Sequence, residues 1–250
     1  MILLLDIGNS HTHLGWGVNG AVCHHQDIPT QSWFDGQAPN LIAQFVRGRK
    51  LHGAALCTVV PKAGTAAKEV LGNVLAIPIF TLTHETVSGI GIDYPRPETI
   101  GPDRLANAIA AQHIFGAPVV VVDFGTAVTF DVVDARGNYA GGIIAPGLAV
   151  MTYYLHEKTA LLPLIEIREI DAVIGKNTED AMLIGAVHGY RGLIRELLHE
   201  VRTELGAPDL KVVATGGCAE LLAAKISEIR EVRPLLTLEG LLLAYNRWSS

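Results

Sequence analysis

The chain has 250 residues, of which 49% are hydrophobic and 18% charged, and carries a formal net charge of −6. That length and apolar content suit one large or two modest, well-buried domains and argue against disorder. The acidic balance lacks the basic footprint of a nucleic-acid binder, so no nucleic acid is expected as a direct partner.

Ile2 to Leu5 is a short continuous apolar run and predicts a strand buried on both faces. It is not a basic segment followed by a long apolar core, so no signal peptide is expected. The run feeds directly into Asp6-Ile7-Gly8-Asn9-Ser10. Strands around Leu14 to Val18 and Ala21 to Gln26 flank Asn19-Gly20, a strong hairpin signal. Ala38 to Val46 then reads as helix, Gly53 to Val59 as strand, Ala63 to Leu71 as helix and Ala76 to Thr81 as strand. From Gly89 to Arg104, proline and glycine predict a shaped loop, which ends where an alanine-rich helix, Leu105 to Phe115, joins the two halves.

A second apolar run, Pro118 to Val122, feeds into Asp123-Phe124-Gly125-Thr126-Ala127. Strands follow at Ala127 to Val133 and Tyr139 to Ile144, around a turn at Arg136-Gly137-Asn138. Helices at Leu148 to Leu155 and Thr178 to Leu205, a strand at Lys211 to Thr215 and a helix at Ala219 to Ile226 complete the pattern. The order of the first half recurs in the second, which reads as an internal duplication. No apolar stretch reaches the ~20 residues that span a bilayer, so a soluble, cytoplasmic protein with no membrane partner is expected. Cys23, Cys57 and Cys218 are scattered, as expected of reduced thiols. The histidines lack a helical metal-binding pair and read as surface or packing residues.

The two Asp-x-Gly turns carry the chemistry. A carboxylate at the end of a buried strand sits at the mouth of the sheet. Gly8 and Gly125 let the backbone turn sharply and bring N–H groups close to an anion, and Ser10 and Thr126 add hydroxyl donors. A carboxylate beside a phosphate repels it unless a cation lies between them. The pair therefore asks for a metal as well as a phosphate, across a cleft between the halves.

With Gly101-Pro-Asp-Arg104, Gly141-Gly142, Pro146-Gly147, Gly175-Lys-Asn-Thr178 and Thr215-Gly-Gly217 added in that order, the chain resembles the type III pantothenate kinases. These belong to the superfamily of acetate kinase, sugar kinases, Hsp70 and actin. The resemblance implies an α/β architecture of duplicated ribonuclease-H-like (actin-like ATPase) domains with a cleft between them, placed at 1–112 and 113–250. It implies a homodimer and ATP-dependent phosphorylation of pantothenate as the first step of coenzyme A synthesis. Mg²⁺ and a monovalent cation, potassium or ammonium, are implied as well.

Residue by residue, the resemblance assigns Asp6, Ile7, Gly8, Asn9, Ser10, His11, Thr12 and His13 to the ATP phosphates, with Thr126 and Gly125 in the facing loop. Gly216 and Gly217 fall on the adenosine side. Asp6 is expected to address Mg²⁺ through water and Asp123 to bind the monovalent ion. Gly101, Pro102, Asp103 and Arg104 line the acceptor site with Tyr94, while Thr178 and His156 reach it from the partner subunit. Asp103, on a shaped loop at a helix start, is the candidate general base, the competing reading being a helix cap. Arg104 suits a carboxylate or phosphate, against an ordinary surface arginine. Thr178 also reads as the N-cap of the following helix, and Gly216-Gly217 as a plain strand-to-helix turn. Position 13 is His where some relatives carry Lys, which shifts phosphate-charge balance onto Arg104 and the cations. Another small-molecule kinase or phosphohydrolase on the same fold, or a non-catalytic regulatory factor, are the competing functions. The presence of Asp6, Asp103, Asp123 and Thr126 weighs against the last.

Overall fold

Apolar runs become the central strands of two sheets. The computed structural model describes residues 1–249. In chain order the elements are β1 (Ile2–Ile7), β2 (His11–Val18), β3 (Ala21–Pro29), α1 (Ala38–Phe45), β4 (Gly53–Thr58), α2 (Pro61–Glu69), β5 (Ile79–Thr81), β6 (Gly91–Ile92), α3 (Pro102–Phe115), β7 (Val119–Phe124), β8 (Ala127–Val133), β9 (Asn138–Pro146), α4 (Leu148–Lys158), α5 (Thr178–Leu205), β10 (Lys211–Thr215), α6 (Ala219–Ala223), β11 (Glu231–Val232) and α7 (Leu236–Trp248).

The first sheet has the order β3-β2-β1-β4-β5 and the second β11-β10-β7-β8-β9-β6. Setting β6 aside, the two orders are the same: a three-strand antiparallel meander, then two strands added parallel through helical crossovers. The internal duplication read from the sequence is therefore present as repeated topology. Asn19 and Gly20, at φ 51° and 81°, make the β2–β3 turn with both central residues left-handed, as a two-residue hairpin with right-handed strand twist requires.

Contacts divide the chain into two units: Met1–Gly116 with Gly137–Ala140 and Leu235–Ser250, and Ala117–Arg136 with Gly141–Pro234. Helix α7, which falls within the expected second domain 113–250, groups with the first unit.

In the first unit one face of the sheet packs Leu3, Leu5, Ile7, Leu14, Ala54 and Leu56 against α1 and α2. The other face receives α7. Gly15 and Gly17 in β2 have no side chain because Leu238 and Leu242 of α7 occupy that space. α7 also packs on α3: Gly240 lies against the Ala106 carbonyl, and the Thr237 hydroxyl donates to Asn107 Oδ1 at 2.8 Å. α3 is buried from Leu105 through Ala111, and its alanines permit that close approach.

In the second unit Val120, Val122, Phe124, Phe130, Val212 and Ala214 pack under Ala186, Tyr190, Ile194 and Leu198 of α5, a helical i, i+4 stripe. The segment 159–177 has no helix or strand. Arg191 on α5, 2% exposed, ties it down through a two-pronged pair with Glu169, Nη1 to Oε1 at 3.0 Å and Nη2 to Oε2 at 2.6 Å. Its remaining donors reach the carbonyls of Leu221 and Leu222. Among the described residues no helix is long and apolar enough to cross a membrane.

Candidate active site

Strand alternation places the first carboxylate. Leu3, Leu5 and Ile7 fill the α1–α2 core, so Asp6 points to the opposite face. β4 runs parallel to β1 with Asp6 in register with Cys57, and residues in register share a face. Asp6 is 8% exposed and Cys57 fully buried; the thiol donates to Asp6 Oδ1 at 3.3 Å. The turn that follows is closed by the Gly8 N–H donating to the His11 carbonyl at 3.0 Å. Thr30, the residue that follows β3, secures it, its hydroxyl donating to the Gly8 carbonyl at 2.7 Å and its N–H to the Ser10 carbonyl at 3.0 Å. Asn9, Ser10 and His11 are left exposed at the tip.

Two residues of this segment turn their side chains elsewhere. Ile7 belongs to the core, and the fully buried Thr12 pairs its hydroxyl with Thr30 at 3.1 Å while accepting from Trp33 Nε1 at 3.0 Å. Period-two alternation gives that outcome, and only their main chain is left for a ligand. His13 Nδ1 lies 2.7 Å from Asp27 Oδ1, with both side chains about half exposed.

Helix α3 supplies the second carboxylate. Gly101 is its N-cap, in extended conformation and without a side-chain cap, and Pro102 opens the first turn. Asp103 therefore lies inside the helix and is not the cap. Its Oδ1 accepts the Arg104 N–H at 2.8 Å. A Cβ at Gly101 would collide with that carboxylate oxygen and stand 3.5 Å from Val59, so glycine is needed for Asp103 to pack there. Burial raises the Asp103 carboxyl above the usual carboxylate range, partly offset by the Arg104 N–H and guanidinium. Burial also pushes the Cys57 thiol well up, followed by the negative charges of Asp6 and Asp103. Asp6, Cys57 and Asp103 thus share one electrostatic environment in the first unit.

Arg104 lays its guanidinium over the Tyr139 ring, 5.8 Å from the centroid. Tyr94, 38% exposed, meets the same ring edge-on at 6.2 Å and 70°. The first unit therefore brings Tyr94 and the segment Gly101, Pro102, Asp103 and Arg104 together around the Tyr139 ring.

The second unit assembles its own turn. Asp123, near the end of β7, is in register with Thr215 of β10. Gly216 follows at φ +91°, and a Cβ there would stand 2.5 Å from Asp123 Oδ1. The Gly147 N–H donates to the Thr126 carbonyl at 3.0 Å, and a Cβ at Gly147 would strike the carbonyls of Gly125 and Thr126. Gly125, Thr126 and Gly217 are exposed. Gly216 is thus held against Asp123, and Gly147 against Gly125 and Thr126, by contacts that only glycine allows.

The residues assigned to a partner's site lie elsewhere in this unit. His156 is exposed near the end of α4, its Nδ1 2.8 Å from the Leu162 carbonyl. Thr178 is the first residue of α5 and exposed. The cap is Asn177, whose Oδ1 accepts the Asp180 N–H at 2.8 Å, so Thr178 does not cap the helix.

Among the described residues no three His, Cys, Asp or Glu side chains gather as a metal cage. A hard divalent ion carried by phosphates needs only one or two carboxylates and completes its shell with water, and Asp6 beside the glycine turn suits that role. Reading the sequence missed Cys57 and Tyr139. Cys57 was accessible in principle, because Gly53 to Leu56 is an apolar run ending in a polar residue as Ile2 to Leu5 is. Tyr139 carries no such signal, since its role depends on tertiary contact.

The fold has solved counterparts. A conserved Campylobacter jejuni protein assigned to the Baf family of transcriptional activators superposes with TM-score 0.63 at 23% identity, covering 99% of this chain and 98% of its own. Component A of (R)-2-hydroxyglutaryl-CoA dehydratase from Acidaminococcus fermentans gives 0.55 at 13%, covering 100% and 99%. These likenesses establish the α/β fold of the actin-like ATPases. In sequence, a type III pantothenate kinase of Akkermansia muciniphila is 48% identical over 243 residues, 97% of either chain. One of Methylacidiphilum infernorum is 43% identical over 244 residues, 97% of this chain and 87% of its own. The family model described as type III pantothenate kinase matches residues 2–200, and with relatives this similar over nearly the full length, the chain belongs to the type III pantothenate kinase family.

Proposed function

We propose that this protein phosphorylates the 4′-hydroxyl of pantothenate, the first step of coenzyme A biosynthesis, with Asp103 as the general base. Membership of a kinase family makes it an enzyme that transfers phosphate from ATP to an alcohol and works with a divalent metal. The observation that carries the assignment is Asp103 itself: a carboxyl raised by burial, beside Arg104, in the same environment as Asp6.

In the proposed step the acceptor oxygen attacks the γ-phosphorus while the bond from that phosphorus to the β–γ bridging oxygen breaks. The hydroxyl proton passes to the Asp103 carboxylate, and ADP leaves with the electron pair of the broken bond. A raised pKa makes Asp103 the stronger base. Arg104 grips the pantothenate carboxylate or a phosphate oxygen, and Tyr94, Gly101 and Pro102 complete the acceptor site. The main chain of Asp6 to His13, with the hydroxyl of Ser10, contacts the ATP phosphates. Thr126 and Gly125 assist, and Gly216 and Gly217 lie on the adenosine side. Asp6 holds Mg²⁺ through water and Asp123 a potassium or ammonium ion; when bound, the cations neutralise phosphate charge during transfer. His13, paired with Asp27, stands where some relatives carry Lys.

The protein acts in the cytoplasm as a homodimer, with Thr178 and His156 reaching the substrate of the neighbouring subunit. Support comes from apolar side chains exposed on β9, α4 and the following segment: Ile144, Tyr153, Tyr154, Leu161, Val173 and Ile174. Large exposed apolar side chains in such number are a feature of interaction surfaces. The reading is tested by incubating purified protein with ATP, Mg²⁺, K⁺ and pantothenate and following phosphopantothenate by mass. Absence of product, or thermal stabilisation by acetate or a sugar but not pantothenate, overturns it.

A further inference from the structure

We infer that Tyr139 is a positioning residue for the acceptor site, fixing the Arg104 guanidinium and the loop that carries Tyr94. This rests on the reading that Arg104 and Tyr94 contact the acceptor. Tyr139 lies in the second half of the sequence, yet Gly137–Ala140 groups with the first unit, and its ring is 1% exposed.

Three separate contacts from this one residue converge on the loop. The ring face lies under the Arg104 guanidinium at 5.8 Å. Its side receives Tyr94 at 6.2 Å and 70°. Its main chain pairs with β6, Ile92 in parallel register with Tyr139, and the Asp93 N–H donates to the Tyr139 carbonyl at 2.9 Å. The tip is in turn anchored to α3, where Gln112 Nε2 donates to the Gly137 carbonyl at 3.2 Å. On the other side Gly91 leaves room for Asn138, whose amide oxygen a Cβ would strike. Residues 92, 93, 94 and 104 are thus referred to a single rigid point.

An arginine that must meet a planar carboxylate loses rotamer freedom on binding, and holding it beforehand lowers that cost. A ring face beneath the guanidinium supplies the hold without competing for its hydrogen bonds. Tyr139 touches no reacting atom in this scheme; its effect falls on acceptor affinity.

The test compares Tyr139→Met and Tyr139→Phe, each alone and with Arg104→Ala, in steady-state kinetics with both substrates varied. Tyr139→Met is expected to raise KM for pantothenate about tenfold, with KM for ATP and kcat within about twofold, while Tyr139→Phe stays near the parent because the ring is kept. In the Arg104→Ala background the Met substitution adds little, as coupled residues require. An unchanged pantothenate KM in Tyr139→Met, or full additivity with Arg104→Ala, overturns the inference. If Arg104→Ala alone leaves pantothenate KM unchanged, the acceptor reading of Arg104 fails first and takes this inference with it. Should Tyr139→Met not fold, Tyr139→His offers a smaller ring; a rise of about threefold supports the inference and no change overturns it.

Discussion

The Cys57 thiol donates a hydrogen bond to Asp6 Oδ1 across 3.3 Å, from the strand that runs parallel beside it. A neutral donor steadies the carboxylate without cancelling the charge a cation needs. Hydrogen bonds to charged groups contribute about 1.5–3 kcal/mol. Cys57→Ala should therefore raise the Mg²⁺ and ATP concentrations needed for half-maximal rate by about tenfold, while Cys57→Ser, which keeps a donor, stays closer to the parent. The raised thiol and its burial also predict that native Cys57 resists iodoacetamide, read by intact mass with and without denaturant.

Asp103→Asn should lower kcat by about 10²–10⁴-fold, the range for loss of a general base. The same substitution should stabilise the fold at neutral pH. Because the folded-state pKa is raised, the native protein binds the proton more tightly than the unfolded chain, and stability falls as pH climbs from the ordinary carboxylate value through the raised one. Asparagine removes that penalty, so its advantage in melting temperature should shrink toward acid pH. An advantage independent of pH would show that the Asp103 charge is not its source.

The Glu169–Arg191 pair has the opposite sign. Hydrogen bonds from Arg191 hold the Glu169 carboxyl down at about 2, below its ordinary value near 4.5. The pair contributes stability above that ordinary value and loses it as pH falls toward 2. Removing one partner of a buried pair costs about 3–5 kcal/mol. Glu169 is more than a third exposed and Arg191 keeps two carbonyl acceptors, so Glu169→Gln should cost about 1–3 kcal/mol at neutral pH. Urea melts at pH 7 and pH 3 should show that difference narrowing in acid.

Gly216→Ala should be more harmful than an ordinary turn substitution. The residue combines φ +91° with backbone and Asp123 contacts where a Cβ would lie, so strain and collision add. We expect a loss of about 2–4 kcal/mol in stability and a weaker dependence of rate on K⁺. Gly217→Ala, where a Cβ meets open space, is the control and should be nearly silent in stability.

Sedimentation tests the proposed dimer. Charged replacements at Leu161 and Ile174, 90% and 69% exposed, should give monomers with intact melting behaviour and little turnover. Monomers with full activity would remove Thr178 and His156 from the active site.

How much was legible follows from the range of each interaction. Both Asp-x-Gly turns, the hairpin at Asn19-Gly20 and the repeated strand–helix order are local patterns, and strand periodicity and turn chemistry write them directly into neighbouring residues. The segment through Arg104 reads as a shaped loop with the helix from Leu105, whereas α3 already begins at Pro102, because proline suits the first helical turn as well as a loop. Local pattern could not show that Thr12 points inward, because deciding which face is core needs the partner layer of α1 and α2. Nor could it pair Asp6 with Cys57, or seat Arg104 on Tyr139, which are far apart along the chain. The cap of α5 fell on Asn177, not Thr178, a one-residue difference between two good capping types.

Helix α7 has a bearing on folding. Gly15 and Gly17 of β2 are shaped to receive Leu238 and Leu242, and α3, which bears the proposed base, rests on Gly240. β2 and its covering helix lie far apart along the chain, with the whole second unit's sequence between them. Contacts this distant need a large loop to close before they give any return. Completion of the unit that carries both Asp6 and Asp103 therefore depends on a long-range closure and not on local structure alone.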